Sequence, residues 1–142
     1  MTGKNEKQSL KEKILAEMTS SYANALDKNF GLAKKFIRIS PEGNVEVLVK
    51  DKISGKEQIL LYLIGKLYAK EAGLSSTEEV ENTELMNELG IPIGSLLPWI
   101  KSLKDENKIK HIRRGKKVNH HIAINLVERI LEEADKKVRK KE

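Results

Sequence analysis

Residues 83–124 read TELMNELGIPIGSLLPWIKSLKDENKIKHIRRGKKVNHHIAI, and their reading decides the fold. Leu85 and Leu89 stand four apart, on one face of a short helix. Gly90 follows as a residue able to close that helix in the left-handed region. Ile91 can plug the turn, and Pro92 discourages one helix from running through it. Ser95 is a candidate N-cap for a second helix, which would leave Pro98 in the first turn, where a missing N–H matters little. Leu96, Trp99, Ile100 and Leu103 then form an apolar stripe. Ile109 and Ile112 begin a strand, Arg113 to Lys117 is a glycine-centred turn, and Val118, His120, Ile122 and Ile124 alternate as the return strand.

Short helix, tight turn, second helix and basic-tipped hairpin, in that order, resemble the winged helix-turn-helix superfamily of DNA-binding domains. The resemblance covers residues 55–124, about half the chain. It is carried by Glu84 to Ile91, by Leu96, Ile100, Leu103 and Ile109, and by Gly115 in the hairpin tip. It implies that the second helix enters the major groove of duplex DNA and that the hairpin, the wing, touches backbone or minor groove. Some members bind RNA or proteins instead. Carried onto this chain, the expected DNA-binding residues are Ser95, Lys101, Lys104, Lys110, Arg113, Arg114, Lys116, Lys117 and His120.

The charge pattern agrees with that assignment. The chain of 142 residues carries a net charge of +6. Between Lys101 and His121, eight Lys or Arg stand against two acids, so this segment alone matches the excess of the whole chain. The second helix fits less well. Its outward positions should be Ile93, Gly94, Leu97, Pro98, Lys101 and Lys104, and its first turn therefore lacks the donors and acceptors that read base edges. That departure suggests weak sequence discrimination, readout by wing and DNA shape, or a protein partner at Ile93, Leu97 and Pro98. Five acids and no base lie between Ser75 and Gly90, and would repel phosphates if they faced them.

The remaining chain frames this unit. Residues 1–8 read as a frayed tail. A helix is expected from Ser9 to about Lys28, with Leu10, Ile14, Leu15, Met18, Tyr22, Ala25 and Leu26 on its apolar side. This side either joins the domain's core or forms a dimer seam. Asn29 to Lys34 reads as a turn region. A hairpin follows over 36–40 and 45–50, turning at Pro41-Glu42-Gly43-Asn44. Ser54 and Glu57 form a capping box for a helix reaching Ala72. Its run Ile59 to Ile64 is apolar all round, so it should be buried on several sides, with Tyr62 and Tyr68 as core or interface residues rather than a base-stacking platform. Leu74 to Glu81 reads as an acidic loop. Asn125 and Glu128 would cap a last helix carrying Leu126, Val127, Ile130, Leu131, Ala134 and Val138 on one side.

The expected fold class is thus mainly α with small β hairpins: a winged helix-turn-helix over 51–124, an N-terminal helix and hairpin over 1–50, and a C-terminal amphipathic helix over 125–142. Terminal helices of this kind serve as dimer arms in the resembled superfamily, so a homodimer is expected. The reading predicts double-stranded DNA binding by a transcriptional regulator or nucleoid-associated protein. Its alternative is an interaction module in a transcription or replication assembly.

Other classes have little to stand on. There is no Cys, hence no disulfide or thiolate chemistry. No apolar run of membrane-spanning length occurs, and the polar N-terminus is unlike a secretory signal, so a cytoplasmic protein is expected. His111, His120 and His121 lack a third ligand nearby, and no phosphate-cradling glycine motif is present. No metal, cofactor or enzymatic activity is expected.

Overall fold

One helix is packed from almost every side. In the computed structural model, which describes residues 9–18 and 22–141, helix Gly55–Glu71 buries Ile59, Leu60, Leu61, Tyr62, Leu63, Ile64, Leu67 and Ala69. The run Ile59 to Ile64 is apolar at every position and leaves no face for water, so the rest of the chain is assembled around it. The expected capping box starts it: Ser54 Oγ accepts the Glu57 N–H at 3.3 Å, and the Glu57 carboxylate accepts the Ser54 N–H at 2.9 Å. The helix ends at Ala72, and Gly73 follows with φ +76°.

The described elements run as α1 (9–18, closing in a π turn at Ile14–Met18), α2 (Tyr22–Lys28), α3 (Phe30–Ala33), β1 (Ile37–Ile39), β2 (Val45–Val47) and α4 (Gly55–Glu71). Then come β3 (Val80–Glu81), α5 (Asn82–Leu89), α6 (Ile93–Asp105), β4 (Lys110–Arg114), β5 (Lys117–His121) and α7 (Val127–Lys140). The protein is mainly helical with two small antiparallel sheets. One is the β1–β2 hairpin, in which Ile37 pairs with Val47 and Ile39 with Val45. The other has strand order β3-β5-β4.

The β1–β2 hairpin lies directly on α4. A Cβ added at Gly65 would sit 2.4 Å from Val45 Cγ1, so the hairpin reaches its depth only because Gly65 has no side chain. The opposite sides of α4 meet α5, α6, α2 and α7. A single cluster of buried residues runs from Leu26 and Phe36 through α4 to Leu96 and Leu103, and on to Leu131 and Val138. Two tyrosine hydroxyls tie the layers. Tyr62 donates to Glu84 at 2.5 Å, with Lys66 3.3 Å from the same carboxylate, and Tyr68 donates to the Leu26 carbonyl at 2.7 Å. Burial, then the Glu84 contact, raises the Tyr62 pKa; burial, then Asp27, raises that of Tyr68 to about 12.

Several expectations are corrected. The helix expected over 9–28 has two described parts, with 19–21, like the tail 1–8 and the Tyr22 side chain, outside the described residues. Its apolar side divides: Leu26 is in the core, whereas Leu10, Ile14, Leu15 and Met18 are exposed. Asn29 to Lys34 is not simply a turn. It contains the short helix α3, because burying Ala33 and Phe36 outweighs Gly31. The acidic loop contains β3, whose Val80 is fully buried and pairs with His120. Two residues are too few to show a period. The return strand stops at His121 rather than Ile124, and a 3-10 turn over Ile124–Leu126 replaces the cap expected at Asn125. The apolar side of α7 faces inward, with Val127, Ile130, Leu131, Ala134 and Val138 all buried. Lys137 bonds Glu57 at 2.9 Å and binds this helix to the start of α4. Among the described residues no helix is long and apolar enough to cross a membrane.

Candidate nucleic-acid interface

The turn between α5 and α6 follows from three residues. Gly90 takes φ 66° and ψ 33°, a conformation costly for a residue with a Cβ. Leu89 and Ile91 flank it, both buried, and fix the angle at which the helices diverge. Leu96, Ile100 and Leu103 are buried and set the rotation of α6. Trp99 adds to this seam, its ring so close to Gly55 that a Cβ there would fall 2.2 Å away. The opposite side of α6 then faces solvent as expected: Ile93 is 45% and Leu97 50% exposed, and Gly94, Pro98 and Lys101 are also exposed.

Ser95 is not the N-cap. The Pro92 carbonyl accepts from both Ser95 N–H and Leu96 N–H, so the helix begins at Ile93 and Pro92 holds the cap position. Ser95 is half-buried within the first turn. Pro98 therefore lies inside the helix, not in its first turn. It removes the N–H that would have reached the Gly94 carbonyl, on the exposed side where water can serve that oxygen.

The β4–β5 hairpin closes more tightly than the turn expected over Arg113 to Lys117. Arg113 pairs with Val118, and Arg114 pairs with Lys117 across a two-residue Gly115-Lys116 loop. Positive φ falls only on Gly115, at 65°, the pattern of a type II′ turn. Because side chains alternate, this register decides which cations share a face. His111, Arg113, Val118 and His120 lie on one face with Val80; Lys110, Ile112, Arg114, Lys117, Asn119 and His121 lie on the other with Glu81.

The second face is largely neutralised. Arg114 holds Glu79 with both Nε (3.1 Å) and Nη2 (2.8 Å), and Asn119 Nδ2 donates to the same carboxylate at 3.3 Å. The Arg114 and Asn119 bonds lower the Glu79 pKa to about 2, and the Arg114 pKa is raised in return. Lys117 is 3.5 Å from Glu81. By contrast, Lys101, Lys104, Lys110, Arg113 and Lys116 form no ion pair among the described residues. At the end of α6, Glu106 binds Lys56 at 2.6 Å and lies 3.7 Å from Lys108.

His120 is the clearest departure from the expected contact residues. It is 1% exposed, and its Nε2 lies 2.7 Å from Asn82 Oδ1 at the start of α5. Nδ1 is buried without a hydrogen-bond partner among the described residues. Burial, with Lys104, His111 and His121 nearby, depresses its pKa to about 4. It is therefore a neutral residue of the packed sheet and cannot reach a phosphate.

Sequence reasoning missed Glu79, Glu81 and Asn119 as the groups that hold Arg114 and Lys117. The signal was there in the acid-rich run before α5, but only the β3–β5 pairing brings it against the hairpin. No group of three or more His, Cys, Asp or Glu that could hold a metal ion occurs among the described residues. Comparison with protein-family models, with curated proteins and with solved structures finds no match to this chain.

Proposed function

We propose that this chain is a winged helix-turn-helix protein that binds double-stranded DNA, acting as a transcriptional regulator or nucleoid-associated protein. The order α4, β3, α5, α6, β4, β5, with strands arranged β3-β5-β4, supports that reading. The observation that carries it is the set of cations without ion-pair partners among the described residues: Lys101 and Lys104 on α6, Lys110, Arg113 and Lys116 on the hairpin. Lysine and arginine left unpaired near a solvent-exposed helix are suited to phosphates at both sides of a groove. Arg114 and Lys117 contribute less in this reading, because acids of the same chain already hold them.

The test is fluorescence anisotropy of a labelled random-sequence duplex at several salt concentrations. Binding at low salt with a log–log slope of roughly −4 or steeper is expected for about five neutralised phosphates. Charge reversal of Arg113 and Lys116 together should abolish it. Absence of binding at low salt defeats the proposal.

A second reading is favoured by the exposure of Ile93 and Leu97, which would suit a protein partner in a transcription or replication assembly. There Leu97→Glu would matter more than charge reversal on the hairpin. In either case the terminal helices differ in what they offer a second copy. The apolar side of α7 is occupied within the chain, so a homodimer contact falls to α1, with Leu10, Ile14, Leu15 and Met18 exposed.

A further inference from the structure

We infer that α6 selects duplexes bearing thymine, with Ile93, Leu97 and Pro98 packing on thymine C5-methyl groups in the major groove. The inference rests on the DNA-binding reading of the same site and names what that site prefers. The exposed side of the first turns of α6 offers no side-chain donor or acceptor: Ile93, Gly94, Leu97 and Pro98 are exposed, and the nearest polar side chain, Ser95, is half-buried. In the major groove guanine, cytosine and adenine present polar edges, which an apolar side chain would strip of water without replacing the hydrogen bond. Thymine alone adds a methyl group. An apolar helix face can therefore gain from one base only.

The surroundings commit this patch to a polyanion. Lys101 and Lys104 on α6, and Arg113 and Lys116 on the hairpin, have no ion pair among the described residues. A Cβ at Gly94 would meet nothing within 4 Å, so nothing else among the described residues covers this turn. Ile93 and Leu97 stand four apart, about 6 Å along the helix, which spans roughly two base steps. The preference should thus be for two thymines close together.

The experiment compares an A·T-rich duplex with the same duplex in which every thymine is replaced by deoxyuridine, which lacks only the methyl group. Each lost methyl contact should weaken binding about fourfold, equivalent to about 0.8 kcal/mol. A tenfold or greater loss for the substituted duplex, at unchanged salt slope, is expected. Ile93→Ser combined with Leu97→Ser, both at exposed positions, should bind both duplexes almost alike. Equal affinity of the unaltered protein for the two duplexes overturns the thymine inference while leaving DNA binding intact, and hands the patch to a protein partner. Undiminished discrimination in the Ile93→Ser, Leu97→Ser protein overturns the assignment to α6. Failure to bind either duplex overturns the DNA reading itself.

Discussion

Glu79 grips Arg114 in a two-pronged ion pair, with Nε and Nη2 at 3.1 and 2.8 Å from its two oxygens. The carboxylate just before β3 thereby removes the cation next to the hairpin tip from the set open to phosphate. Glu79→Gln should release that cation. The salt dependence of duplex binding should steepen by about one unit, with tighter binding at low salt. Anisotropy titrations of both proteins at several salt concentrations measure this. An unchanged slope would show that Arg114 contributes no phosphate contact even when released.

The same competition ranks the hairpin cations. Arg113→Ala or Lys116→Ala should weaken duplex binding more than Arg114→Ala or Lys117→Ala. Equal losses at all four positions would mean that the intramolecular pairs open at no cost when DNA arrives.

His120 makes stability depend on pH. Its folded-state pKa, about 4, lies below the ordinary histidine value near 6.5, so the unfolded chain binds the proton more readily. The stabilisation from a neutral His120 is complete above about pH 6.5 and declines as pH falls toward 4. The whole effect is at most roughly 3 kcal/mol. Lys104 of α6, His111 of β4 and His121 of β5 all oppose protonation. Urea unfolding at intervals from pH 7 to 4 should show the decline, and His120→Leu should flatten it relative to the unaltered chain.

Gly65→Ala sets two effects against each other. Alanine favours the helix by about 1 kcal/mol over glycine. The new methyl would fall 2.4 Å from Val45 Cγ1 and 3.2 Å from Ile37 Cγ2, both buried. Overpacking of this kind costs about 1–3 kcal/mol. The clash should win, and the melting temperature should fall. A rise would mean the hairpin shifts outward freely.

Ile14→Glu combined with Met18→Glu changes only exposed side chains, 41% and 79% accessible. Monomer stability should stay within about 0.5 kcal/mol. If α1 joins two copies, sedimentation should show dimers in the unaltered protein and monomers in the variant. Dimers persisting in the variant would move the contact elsewhere.

Where the sequence was legible, it carried a strong local signal. Ser54 with Glu57 announced the start of α4, Gly90 the turn, and the spacing of Leu96, Ile100 and Leu103 the buried side of α6. Each is decided by neighbours within a few residues. What escaped was decided by distant ones. Val80 becomes a strand only because it pairs with His120, forty residues on. The hairpin register turned on whether the loop holds two residues or more, and one residue of error exchanges the faces. His120 looked like a surface cation because its sequence neighbours are basic, yet the β3 pairing and Asn82 enclose it. The charge of the site was readable as a sum, but its division into open and neutralised cations needed the fold.

The central position of α4 also bears on how the chain comes apart. The β1–β2 hairpin, the α5–α6 pair and α7 all bury their apolar sides on this one helix. None can detach without exposing residues that the others also cover, so the chain should open as one cooperative unit. Backbone amides between Ile59 and Ala69 should exchange with deuterium only through global unfolding, while those of α1 exchange first. Severing the chain before α7 would then weaken the far hairpin as much as the nearer helices, although the two share no sequence neighbourhood.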